Sequence, residues 1–244
     1  MEISFNGMLL ATLIGFLGSF IQSTTGFGYA VTVMAVWPMF MPFKTAAVVE
    51  ILTATVLTVT IAVKYRKYIV WKQLIWPGIA SLFFNWLGLQ VLEHSGETFL
   101  RRILGAALIL LAVYFIFFSD RIRIRPTTKN AIIAGSVSGF TGGLFSLGGP
   151  PIVAYYLSAL EDKRQYTATT QMFFIISTAE LIVMHLFLGN ITGQVLKISL
   201  LVIAGVAAGT ACGLALFKRL NLPTIKKLVY GFMMIMGLYT LITG

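Results

Sequence analysis

Gln22-Ser23-Thr24-Thr25-Gly26-Phe27-Gly28 interrupts the apolar run Met8–Phe40. Thr141-Gly142-Gly143-Leu144-Phe145-Ser146-Leu147-Gly148-Gly149-Pro150-Pro151 interrupts a second run, Asn130–Leu160. In a helix interior glycine costs about 1 kcal/mol and proline about 3 kcal/mol relative to alanine. Clustered as they are here, they end a helix rather than bend it. Both breaks are also polar: the first carries an amide and three hydroxyls, the second the hydroxyls of Thr141 and Ser146.

The chain around these breaks reads as an all-α membrane protein. It is 58% hydrophobic and 11% charged, with a mean hydropathy of +0.90, against about 25% charged residues in a soluble domain. A chain of 244 residues cannot bury that much apolar surface in water, so lipid is its solvent. Six further runs have the roughly 20 residues that a bilayer core requires. They lie near Thr45–Val63, Leu74–Leu92, Leu100–Phe118, Thr167–Leu188, Leu196–Phe217 and Thr224–Thr243. The net charge of +10 does not point to nucleic acid. Lys and Arg cluster in short loops between apolar runs, the pattern of cytoplasmic membrane loops.

Several chemistries are excluded. Cys212 is the one cysteine, so no intrachain disulfide forms. Two histidines without clustered Asp make a bound metal unexpected. Nucleophile patterns of the Ser/His/Asp or H-E-x-x-H kind are missing, and so is an ATP-binding loop. The chain is therefore read as no enzyme and as needing no cofactor. No basic region or A-x-A site marks a cleaved leader, and Met1 onward is read as mature protein.

The two halves repeat, as residues 1–125 and 126–244. An offset of 120 places Gly15 on Gly135, Phe20 on Phe140 and Gly28 on Gly148. Further on, an offset of 125 places Gly88 on Gly213, Arg101-Arg102 on Lys226-Lys227 and Tyr114 on Tyr239. At about 1.5 Å per residue, Met8–Gln22 is roughly 22 Å long and Ala30–Phe40 roughly 16 Å. Neither limb alone spans a core of about 30 Å, so each broken segment is either one broken crossing or a re-entrant hairpin. The 18 Lys and Arg divide 9 and 9 if both segments cross. They divide 14 and 4 if both re-enter, with Lys44, Arg101, Arg102 and Lys197 outside. The positive-inside rule favours the second. Each half is then a hairpin plus three spans, an odd number. The halves face opposite ways as inverted repeats, with both termini outside.

Irregular backbone at membrane depth survives only where it is packed in protein or lines a polar cavity, and helix N-termini exposed there favour anions. The candidate substrate-binding residues are Gln22, Ser23, Thr24, Thr25, Gly26 and Gly28 in the first break. In the second they are Thr141, Gly142, Gly143, Ser146, Gly148 and Gly149. Pro150 and Pro151 suit the start of a second limb. Asn85 and Gln171, polar positions in apolar runs, join the set. Glu50 and Glu180 are candidates for proton coupling, because an ionisable group inside a span is a functional suspect. The alternative is that the small residues serve close helix packing and that Glu180 is a carboxyl bonded to a neighbour. His185 is read as interfacial, and Trp71 and Trp76 as an interfacial belt. Gly205, Gly209 and Gly213 form a packing stripe, within a protomer or between copies in a homo-oligomer.

The sequence resembles the sulfite exporter TauE/SafE family over nearly its whole length. The residues that carry the resemblance are Gly18 to Gly28 in the first half, and Gly135-Ser-Val-Ser-Gly139-Phe-Thr-Gly-Gly143 with Gly148-Gly149-Pro150-Pro151 in the second. The first half departs in having Ser23-Thr24-Thr25 where many members carry more glycines. The resemblance implies a multi-pass inner-membrane transporter of small anions, sulfite or sulfonates above all. The reading is a secondary transporter or exporter whose substrate binds near the midplane between the two breaks. The rivals are a passive small-anion channel and a membrane subunit of a larger complex.

Overall fold

The computed structural model describes residues 3–117, 124–216 and 222–243, the last group without the side chains of 222–226. Arg121, Arg123, Lys218 and Arg219, and the side chain of Lys226, therefore lie outside the described residues. Among the described residues ten α-helices follow one another: α1 Phe5–Thr25, α2 Tyr29–Val36, α3 Phe43–Tyr65, α4 Trp71–His94, α5 Glu97–Phe117, α6 Thr128–Phe145, α7 Gly149–Ala159, α8 Lys163–Phe187, α9 Gly193–Leu216 and α10 Leu222–Thr243. No strand occurs among the described residues. Among the described residues, six helical segments are long and apolar enough to cross a membrane: α1, α3 with its following turn, α4, α5, α8 and α9. The protein is an all-helical, multi-pass membrane protein.

The limbs next to the breaks are longer than the sequence suggested. α1 starts at Phe5 because Ser4 caps it, its hydroxyl accepting from Gly7 N at 3.2 Å. The helix then continues through Gln22–Thr25 to end on Gly26. Its 21 residues span about 32 Å, so this limb is long enough to cross alone. α6 likewise starts from a Thr127 cap and runs through Thr141–Phe145. The hydroxyls explain the continuation. Ser23, Thr24, Thr25 and Thr141 each sit near a carbonyl three or four residues back, which satisfies them inside a helix. The breaks themselves shrink to Gly26–Gly28 and Ser146–Gly148.

Beyond each break the chain turns back. A Cβ on Gly18 would lie 3.2 Å from the Tyr29 carbonyl, one on Gly15 3.9 Å from the Trp37 ring, and one on Gly7 3.9 Å from the Phe40 ring. α2 thus retraces α1 antiparallel. α7 also returns toward the start of α6, since Ile124 N donates to Ser158 Oγ at 3.1 Å. The ends of the bundle separate accordingly. Lys44 pairs with Glu93 at 2.9 Å, with Asn190 donating to Glu93 at 2.7 Å. At the opposite end Arg164 donates to the Tyr68 hydroxyl at 2.8 Å, and Val70 N donates to Thr169 Oγ1 at 3.0 Å.

Helix pairing exchanges between the halves. α1 packs on α9 as α6 packs on α4, while α3 meets α8 and α5 meets α10. The glycines matched by the two offsets mark this. Gly213 rests on the Phe20 carbonyl and Gly88 on the Phe140 carbonyl. The stripe Gly205, Gly209, Gly213 lies on Thr12, Phe16 and Phe20 of α1, within one protomer. A second stripe, Gly135, Gly139 and Gly143, seats α6 on Pro77, Ser81 and Asn85 of α4.

Candidate functional site

Where α3 and α8 cross, the two broken tips meet. Ala54 is the middle residue of α3 and Phe174 lies next to the middle of α8, so the meeting point is at mid-depth in the bundle. A small cavity of about 50 Å³ opens there. Gln22, Phe27 and Gly28 wall it from the first tip, with Ala30 and Val31 of α2. Gly142, Ser146, Gly148, Gly149 and Pro150 wall it from the second. Glu50, Ile51, Ala54 and Thr58 of α3 and Phe173, Phe174, Ser177, Thr178 and Leu181 of α8 complete it. Among the described residues no Lys or Arg is on these walls. Across the cavity, a Cβ on Gly149 would lie 3.9 Å from the Phe27 Cβ.

The first tip is held by amides. Gly26 and Gly28 both have positive φ, 92° and 116°, a conformation glycine adopts without strain. Gln22 Oε1 accepts from Tyr29 N at 3.1 Å, capping one of the N–H groups that the start of α2 leaves without an intrahelical acceptor. Gln22 Nε2 donates to Gln171 Oε1 at 3.3 Å, and Gln171 Nε2 donates to the Gly26 carbonyl at 2.9 Å. Gln171 is fully buried and fixes the turn from α8.

The second tip is held differently. Ser146 caps α6 at φ 61°, the one positive-φ residue other than glycine among the described residues. Its N–H donates to the Gly142 carbonyl at 2.8 Å. Its hydroxyl donates to the Ala47 carbonyl of α3 at 3.4 Å, one turn before Glu50 on the same helix, and Ser146 and Glu50 share the cavity wall. Ser138 Oγ donates to the Gly148 carbonyl, closing the loop. Pro150 and Pro151 occupy the first turn of α7, where proline loses no hydrogen bond. They also leave that turn with few N–H donors.

Among the candidate residues, Gln22, Gly28, Gly142, Ser146, Gly148, Gly149 and Glu50 are on the cavity wall. The others are not. Ser23 donates to the Ser19 carbonyl at 2.7 Å and packs beside Gly213. Thr24 bonds back along α1. Thr25 Oγ1 lies 2.6 Å from the Phe27 carbonyl and Thr141 Oγ1 3.1 Å from the Leu147 carbonyl, bracing the two turns. Gly26 lies against the Tyr166 ring, and Gly143 against the Asn85 backbone. Asn85 is fully buried behind the wall, its amide donating to Ser177 Oγ at 2.9 Å and to Glu180 at 2.8 Å. Glu180 is only partly buried and turns toward Asn85 rather than into the cavity. His185 is buried, with Nδ1 2.9 Å from Asn190 Nδ2.

The polar wall residues that sequence reasoning missed, Thr58, Ser177 and Thr178, come from α3 and α8, with the rings of Phe173 and Phe174 beside them. A signal existed in the spacing of Glu50, Ala54 and Thr58, which share one helix face at i, i+4 and i+8.

The family model described as sulfite exporter TauE/SafE matches residues 11–240. Neither a curated protein nor a solved structure matches the chain.

Proposed function

Because this chain belongs to the sulfite exporter TauE/SafE family, a family of membrane transporters rather than enzymes, we propose that it carries a small anion through the mid-depth cavity. Sulfite, a sulfonate or another small organic anion is the substrate class. The observation that supports this most is the meeting of two helix breaks, 120 residues apart in sequence, at one cavity.

An anion there faces the start of α2, where a helix end carries about half a positive charge and contributes about 0.3–1 kcal/mol or more when partly buried. At α7 the aligned peptide dipoles remain, although its prolines remove donors. Gln22, Ser146, Ser177 and Thr178 supply neutral polar groups on the wall. A site without Lys or Arg holds an anion loosely enough to release it. Proton coupling is assigned to the carboxyls of Glu50 or Glu180.

Transport follows from two inverted repeats, residues 1–125 and 126–244, rocking against each other around the site. The exchanged helix pairings support this reading. The termini and Ser95 face outward, and Thr127 faces inward at the inner membrane, in keeping with the 14 and 4 division of basic residues. Cysteines at positions 44 and 163 then label from opposite sides. Labelling of both from one side overturns this orientation.

The decisive experiment is a thermal-stability screen of the purified protein with sulfite, thiosulfate, sulfoacetate and acetate. A ligand at 100 times its Kd stabilises by about 2.7 kcal/mol. One or more of these anions raises the unfolding temperature in proportion to occupancy. No shift with any of the four defeats the reading.

A further inference from the structure

Glu50 and Gln171 occupy matched places. An offset of 121 relates them, against 120 for the residues beside them, Gly26 and Ser146. Each lies on one of the two central helices, beside the residue that caps the first limb of a hairpin. Gln171 donates to the Gly26 carbonyl at 2.9 Å, while Ser146 bonds the Ala47 carbonyl one turn before Glu50 and shares the cavity wall with it. The two side chains are close in shape, but only the carboxyl takes up and releases a proton.

We propose that Glu50 alone carries the coupled proton, one per anion, and that Gln171 is its non-titrating counterpart. This rests on the anion-transport reading. Glu50 is 4% exposed and shares the cavity with the second tip. An ionised carboxylate and an anion in that space repel each other, and a bound proton removes the repulsion. The anion and the proton therefore enter together and leave together. Because Ser146 stands on the same wall, the state of the carboxyl also reaches the tip that must move to open the site.

The groups around Glu50 leave it this role. The Tyr29 hydroxyl of α2 is bonded to Thr53, three residues after Glu50 on α3, at 2.5 Å. Glu180 of α8 lies beyond Ser177 and is held by Asn85 at 2.8 Å. Among the described residues Glu50 is the one charged side chain on the cavity wall.

The test uses the full chain in liposomes, with sulfite, thiosulfate and sulfoacetate as probes, and measures anion flux and proton flux together. The parent moves one proton per anion. Glu50→Gln lowers the proton-to-anion ratio at least tenfold while residual anion exchange persists. Gln171→Glu raises the ratio toward two. Glu180→Gln leaves it at one. Proton flux that survives Glu50→Gln, or is lost in Glu180→Gln, overturns the proposal. So does anion flux without proton flux in the parent, which leaves the anion reading standing. A parent that moves none of the three probes defeats that reading and the proposal with it.

Discussion

The first tip is built from two glycines at positive φ and an interlocked pair of glutamine amides. The second is built from a serine at positive φ and a serine-to-carbonyl bond, beside a carboxyl on the cavity wall. The same backbone event, a helix that stops at mid-depth and turns back, is thus stabilised by two chemistries. Amides hold one geometry whatever the pH and cost nothing in charge. A carboxyl has two states and a residue strained at φ 61° stores energy. The first tip suits a fixed element and the second an element that changes state.

Substituting the glycines separates the tips most sharply. Gly26→Val places a β-branched side chain at φ 92°, 2.9 Å from the Tyr166 ring. Backbone strain alone costs about 1–3 kcal/mol and the clash adds to it, so thermal unfolding in detergent shifts strongly downward and transport is lost. At Gly149 the φ is not positive, and a Cβ meets Phe174 at an ordinary 3.5 Å. Gly149→Val therefore keeps insertion and stability but fills the cavity, abolishing anion-dependent stabilisation. Equal destabilisation by the two substitutions breaks the comparison.

Removing the amide comes next. Gln171→Leu leaves the buried Gly26 carbonyl and the Gln22 amide without their partner, at about 1–3 kcal/mol, read as a drop in unfolding temperature. Ser146→Gly goes the other way, relieving a left-handed non-glycine residue worth about 1–2 kcal/mol against one long hydroxyl bond. It raises the unfolding temperature and weakens the response of transport to pH. A fall in stability shows that the Ser146 hydroxyl outweighs its strain.

The braces are expected to matter least. Thr25→Ala and Thr141→Ala each remove a hydroxyl that spans its turn, at about 1 kcal/mol each. Anion preference in the stability screen stays that of the parent, because neither hydroxyl is on the cavity wall. A changed preference shows that the turns, and not the wall, select the anion.

Apolar run lengths, the two breaks and the offsets between halves were legible in the sequence. Each depends on local backbone cost and on hydrophobic length, which neighbours in the chain decide. Gly26 and Gly28 stand where the backbone turns left-handed, and Pro150 and Pro151 where a helix begins. Whether a hydroxyl in a break faces a cavity or bonds its own helix was not legible. Ser23, Thr24 and Thr25 read as binding groups in sequence, yet each satisfies itself within three or four residues. Only tertiary packing decided that Ser177 and Thr178 of α8 stand at the wall, that Asn85 sits behind it, and that Glu50 shares that wall with the opposite half's hairpin. These placements depend on which face of each helix meets which partner. That choice is made by contacts across more than 90 residues of chain, where a sequence pattern records only the period of a helix and not its neighbour.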